Sequence, residues 1–319
     1  MDRRAVIRLA GVAGTVFLAG DGIMTGISAQ VAERERDDLA TRWAFTSPHD
    51  LEPQARDLLA RALASLRDPG HGVSGRQRLL EVATDAALLA GHAAVAGGRY
   101  PVAWELLTTA RSLAGQTGRP ELVSRASGSA STVLAHTGRP QGALDLLDHA
   151  RATAEPGVWA LWVEMAAARQ YAALGDGRAS YGALEAAYGQ LGRGDGHGFL
   201  SAGGYFAGWD AFYMAGQSGM VLGLLGATNE ALAELRAAMG APTIRARATG
   251  RCLVDAAQAY TVAGETEMAC EAAVEALGEC QRTGYGLGVS RIRQLRARLP
   301  ANSTGLACVR ELGEQLRLV

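Results

Sequence analysis

One turn recurs five times along this 319-residue chain and constrains its fold more than any other feature. The segments are Gly98-Arg-Tyr-Pro-Val-Ala103, Gly138-Arg-Pro-Gln-Gly-Ala143, Gly175-Asp-Gly-Arg-Ala-Ser180, Gly226-Ala-Thr-Asn-Glu-Ala231 and Gly264-Glu-Thr-Glu-Met-Ala269. Each precedes an apolar stretch of helical periodicity, and four of the five place Ala five residues after Gly. A Gly turn between two helical runs makes a helix hairpin. Hairpins returning every 20–50 or so residues stack, because none can bury its apolar face alone. Such a chain is a scaffold with a groove, and binding rather than chemistry is the first expectation.

Taking each turn Gly as origin gives a register. Seven residues earlier stand Gly91, Ser131, Ala168, Gly219 and Ala257; five later Ala103, Ala143, Ser180, Ala231 and Ala269; twelve later Ala110, Ala150, Ala187, Ala238 and Ala276. Small residues at these offsets let helices approach closely. The pattern resembles the tetratricopeptide repeat, whose unit is about 34 residues. The turn glycines here are 40, 37, 51 and 38 residues apart, so the units are longer and looser. The widest step contains Gly192-Arg-Gly-Asp-Gly-His-Gly198, read as a flexible insert. After Gly175 the third unit is irregular, and its second helix is expected near Ala183. Alternating Val/Ile/Thr runs, the mark of strands, do not occur. The expected fold is all-α: a tetratricopeptide-like right-handed α-solenoid of helical hairpins over residues 73–286.

Three segments flank the repeats. Residues 31–72 read as an N-terminal helical segment broken near Ser47-Pro48, closing in the turn Asp68-Pro-Gly-His-Gly72. Residues 287–319 read as C-terminal capping helices. In Arg291-Ile-Arg-Gln-Leu-Arg-Ala-Arg-Leu299, Ile292, Leu295 and Leu299 form the inner face and four Arg the polar outer face that a solenoid end requires. Residues 1–30 hold Asp2-Arg3-Arg4 and an apolar run from Leu9 to Gly20, which imitates a twin-arginine export signal. Arg8 and Asp21 interrupt that run, which is shorter than the roughly 20 apolar residues of a membrane span. A linker in a cytoplasmic protein is expected, with export as the alternative.

Composition removes several chemistries. The formal charge is −1, which leaves no overall nucleic-acid footprint. All 31 basic residues are Arg, so a Walker-type phosphate loop and a Schiff-base lysine are excluded. Cys252, Cys270, Cys280 and Cys308 have no C-x-x-C spacing, and the first three read as small buried residues. Asp195 and His197 make too thin a set for a metal. No nucleophile elbow or paired-histidine motif occurs. No catalytic residue, metal or cofactor is assigned.

The order Asp2-Arg3-Arg4, short apolar linker, Trp-containing helical segment and degenerate repeats is similar to the sensor region of actinobacterial Xre-type helix-turn-helix transcriptional regulators. The ending Val289-Ser-Arg-Ile-Arg-Gln-Leu-Arg-Ala-Arg-Leu-Pro300 fits the same group. The resemblance implies ligand- or peptide-responsive interaction linked to transcription. Residues 1–30 cannot hold a three-helix DNA-binding unit, so direct nucleic-acid binding is not carried over.

In a tetratricopeptide hairpin the first helix lines the concave face. Thirteen residues before the turn glycines stand Asp85, Arg125, Trp162, Tyr213 and Arg251; six before stand His92, Thr132, Arg169, Met220 and Gln258. The candidate groove is Asp85, His92, Arg125, Trp162, Arg169, Trp209, Tyr213, Arg251 and Gln258, with Trp209 taken from the aromatic run Gly203–Met214. Arg recognises carboxylates through paired N–H groups, and aromatic rings supply rigid contact area. The blander reading is a solvated face, with the aromatic run in the core. The partner would be a peptide, small metabolite or protein, with no membrane and with a homodimer left open. Two alternatives stand beside this: an enzyme of a biosynthetic pathway with an aromatic central pocket, including Asp210, Glu164 and His92, or a pure protein–protein scaffold. A closed interior with a buried carboxylate would favour the enzyme, and an open groove would favour binding.

Overall fold

The computed structural model describes residues 27–43, 45–191, 211–240, 246–303 and 305–319. Among them every regular element is helical. Two helices precede the repeats, α1 (Ala29–Arg42) and α2 (Pro48–Arg67). Five hairpins follow: α3 (Val73–Ala96) with α4 (Tyr100–Thr117), α5 (Pro120–His136) with α6 (Pro140–Arg151), α7 (Val158–Ala173) with α8 (Gly177–Tyr188), α9 (Ala211–Leu224) with α10 (Thr228–Met239), and α11 (Ala246–Ala263) with α12 (Thr266–Thr283). The chain ends in α13 (Gly286–Arg298) and α14 (Ala307–Arg317). This is an all-α, tetratricopeptide-like solenoid.

The turns are built as their sequences demand. Gly98, Gly138, Gly175, Gly226 and Gly264 have φ between 75° and 81°, a region that costs other residues a Cβ clash. In each turn the N–H after Gly returns to a carbonyl five residues back: Arg99 to Ala94, Arg139 to Leu134, Asp176 to Tyr171, Ala227 to Leu222 and Glu265 to Tyr260. That bond caps the first helix and starts the second in one step. The third turn is as regular as the others. Helix α8 begins at Gly177, capped by the Asp176 side chain on the Ala179 N–H, and not near Ala183 as its residue types suggest.

All of the small register positions are buried. A Cβ on Gly91 would fall 2.6 Å from Leu107, and one on Gly219 would fall 2.7 Å from Leu235. Both leucines stand nine residues after their turn Gly, so the same knob meets the same hole in two hairpins. The Gly192–Gly198 insert and most of the aromatic run, Trp209 included, lie outside the described residues.

The array closes on itself. Gly286, at the start of α13, packs on Gly97 so tightly that a Cβ would sit 2.5 Å from the Gly97 carbonyl oxygen. Arg247 at the start of α11 donates to the carbonyls of Trp43 (3.3 Å) and Thr46 (2.5 Å), in the α1–α2 turn. One apolar core joins Leu79, Leu89 and Ala93 of the first hairpin to Cys270, Cys280, Ile292 and Leu295 of the last elements. Helix α3 is apolar and long enough to cross a membrane, yet 89% of its most apolar stretch is buried by neighbouring helices.

Candidate functional site

Closure brings polar side chains from separate repeats together in two clusters. The first lies between α1, α3 and α5. Asp85, 3% exposed, accepts from Arg125 Nη2 at 2.9 Å and faces Arg36 Nη1 at 3.5 Å. Burial pushes the Asp85 pKa up against the pull of both guanidinium groups. His92 Nε2 lies 2.9 Å from Ser129 Oγ, and its ring meets Trp43 edge-on with centroids 6.4 Å apart. Burial, helped by Arg125, lowers the His92 pKa to about 4, so the ring is neutral at pH 7. Arg125 is thus committed to Asp85 rather than left for a ligand.

The second cluster gathers residues from one end of the ring to the other. Arg169 comes from α7, Tyr213 from α9, Arg251 and Asp255 from α11, and Arg291 from α13. Tyr100, His136 and Tyr285 flank three turns. Arg291 Nη2 donates to Asp255 Oδ1 at 2.5 Å, and the Asp255 side chain is wholly buried. Burial opposes the Arg291 charge, but Asp255 holds its pKa above the ordinary value. Arg251 lies over the Tyr213 ring, 4.7 Å from its centroid, in space left by the missing Cβ of Gly216. Arg169 Nη2 donates to His136 Nδ1 at 3.3 Å, and His136 stacks on Tyr100 with centroids 6.2 Å apart. Burial, then the positive charges of Arg169 and Arg291, hold the His136 pKa well below its ordinary value. The same burial, with Arg291, lowers the Arg169 pKa to about 10, which still leaves it charged at pH 7. Three guanidinium groups therefore face one carboxylate among the described residues.

The structure sorts the expected groove residues. Asp85, His92 and Arg125 form the first cluster; Arg169, Tyr213 and Arg251 belong to the second. Gln258 is half-buried one turn beyond Asp255 on α11. Trp162 is 7% exposed and stacks on Trp159 at 4.7 Å over Gly128, so its place is in the apolar core between α5 and α7. Glu164 accepts from Arg151 and stands apart from both clusters. Arg291 is corrected outright. The cap pattern put it on the outer face, but closure turns it inward onto Asp255, while Arg293, Arg296 and Arg298 remain exposed. Sequence reading also passed over Tyr100, His136 and Tyr285. Their common signal is position: each lies within two residues of a positive-φ glycine.

Cysteine chemistry finds no footing in the second cluster. Burial raises the Cys252 pKa and pushes the Cys280 thiol up to about 12, so neither is a ready thiolate.

Fold and site together define a closed array of helix hairpins with an arginine-rich interior. No family model matches the chain, and neither does any curated protein. Among solved structures it is similar to the TPR2AB-domain:pHSP90-complex of yeast Sti1, at 12% identity, covering 85% of this chain and 98% of that one, with a TM-score of 0.29. So low a score carries no argument about the site.

Proposed function

We propose that this chain is an interaction protein that takes a peptide or small ligand on the inner face of its solenoid and responds to it through ring closure. The observation that supports this is that Arg169 on α7 donates to His136 at the end of α5, whose ring stacks on Tyr100 of the first hairpin, while Arg291 on α13 pairs with Asp255 on α11. Burying a guanidinium group costs solvation unless a partner offsets it, and Arg169 has only the neutral His136 as its hydrogen-bond partner among the described residues. An anionic ligand group at Arg169 would offset that cost. A ligand touching both ends of the array favours the closed shape by its differential affinity for closed and open forms. The link to transcriptional regulators is part of this proposal and rests on the sequence pattern.

Native mass spectrometry on protein purified from its own host tests the reading. The expected result is one small molecule or peptide per chain, released on denaturation. A chain that is bare in the native spectrum, and whose hydrogen exchange at α3 and α13 is unmoved by host extract, would overturn it.

The enzyme reading has one observation in its favour, the fully buried Asp255 inside a closed interior. Its ion pair with Arg291 occupies one carboxylate oxygen and argues for a structural or binding role.

A further inference from the structure

Two of the four cysteines converge at the C-terminal end of the array and belong to neither polar cluster. Helix α12 packs against α14. The hairpin of α12 and α13 is symmetric about Gly284: four residues to either side of it, the Cys280 sulfur fills the space left by the missing Cβ of Gly288. Cys270 and Arg298 each stand fourteen residues from Gly284, so the same pairing brings Cys270, near the start of α12, level with the last turn of α13. Helix α14 begins at that end, after the short connection 299–306, and Cys308 lies in its first turn. Cys308 packs against the apolar core to which Cys270 belongs.

The two thiols are unequal. Cys270 is fully buried, and burial, then a hydrogen bond with Cys308, pushes its thiol up to about 12. It stays protonated at pH 7. Cys308 is half-buried, so an oxidant from solution meets it first. Cys252 and Cys280 are buried, Cys252 against Gly216 and Cys280 beneath Gly288. Of the four thiols, Cys308 alone reaches solvent, and its hydrogen-bond partner is the sheltered thiol of Cys270.

We infer that Cys270 and Cys308 form an oxidative modification site, a thiol pair that a hydroperoxide converts to a disulfide joining α12 to α14. The Cys308 sulfur attacks a peroxide oxygen; an S–O bond forms as the O–O bond breaks, and the released oxygen takes the Cys308 proton. The Cys270 sulfur then attacks the Cys308 sulfur of the resulting sulfenic acid. The S–S bond forms as the S–O bond breaks, and the departing hydroxide leaves with the Cys270 proton as water. The thiols give up two electrons and the peroxide accepts them. The cross-link closes a loop that contains the whole of α13, with Gly286 at the seam and Arg291 on Asp255. It limits excursions of α13 away from the first hairpin and so favours the closed ring. This inference rests on the placement of the thiols and stands or falls apart from the inner-face reading.

The test uses the full chain, reduced and freed of reductant, with hydrogen peroxide at about 1 mM as the probe. Cleavage after arginine and glutamate leaves each of the four cysteines in its own peptide, so mass spectrometry reads the linkage directly. The expected product is about 2 Da lighter, carries the Cys270–Cys308 link and reverts on reduction. Cys308→Ser, a change at a half-buried position, should abolish it. Cys270→Ser should leave a sulfenic acid on Cys308 that dimedone captures. In the linked chain, hydrogen exchange at α13 and α14 should slow at least about tenfold, with α7 and α8 unmoved. No loss of mass, a link between any other pair, or a disulfide that persists in Cys308→Ser overturns the assignment of the pair. Unchanged exchange at α13 and α14 in the linked chain overturns the locking of the ring.

Discussion

At the scale of single residues, the buried ionisable groups carry the clearest consequences. His92 is neutral in the folded chain, with its pKa lowered to about 4 by burial and Arg125, and His136 is shifted the same way. In the unfolded chain both titrate near 6.5. Below that pH the unfolded state takes up protons that the folded state refuses. The stability is therefore fully present above about 6.5 and is lost as pH falls toward the folded pKa. For His92 alone the loss is on the order of 3 kcal/mol by about pH 4. Urea midpoints at pH 7 and near pH 4.5 should show it, and His92→Gln should flatten the profile; an equally steep profile in the variant would refute the assignment. The Arg291–Asp255 pair gives a second residue-scale test. Arg291→Gln should cost about 3–5 kcal/mol by leaving a buried carboxylate unpaired, whereas Arg291→Gln with Asp255→Asn should cost much less. Equal losses would mean that the pair is not coupled.

At the scale of the element, the hairpin is a turn plus a close approach, and the two can be separated by mutation. Gly264 has φ 81° and nothing within 4 Å of where a Cβ would stand. Gly264→Ala should therefore cost only the conformational term, about 1–2 kcal/mol. Gly219 is helical, and its added Cβ would meet Leu235 at 2.7 Å and the Ala231 carbonyl oxygen at 2.8 Å. Backbone cannot swing aside as a side-chain tip can, so Gly219→Ala should cost about 1–3 kcal/mol despite Ala's better helix propensity. Denaturant unfolding of the two variants measures both. A stabilised Gly219→Ala would show that α9 and α10 are packed more loosely than described. Most of this scale was legible beforehand: the five turns, the small register positions and the break at Ser47-Pro48 are all where the residue pattern placed them. The start of α8 was not. Gly177 and Ser180 are poor helix formers, but the Asp176 cap and the Ser180 hydroxyl, which donates to the Ala168 carbonyl, offset that.

At the scale of the whole molecule, the seam between first and last elements decides what the interior can be. Gly286→Ala would drive a Cβ into the Gly97 carbonyl and should part the ring there. The expected outcome is a larger radius of gyration by small-angle X-ray scattering, with faster hydrogen exchange at α3 and α13 and little change at α7 and α8. An unchanged radius and exchange pattern would mean that the shape does not depend on this contact. What the sequence by itself determined is whatever repeats within a few turns of helix: the hairpin, its Gly cap and its small residues. These follow from short-range sterics and the fixed periodicity of the α-helix. Only the tertiary structure decided that the array closes, that Arg291 points inward, and that Trp162 is core while Tyr100, His136 and Tyr285 meet the arginines. Closure is the sum of small rotations from one hairpin to the next. Each rotation is set by side-chain packing at its own interface, so no single motif in the chain encodes their total.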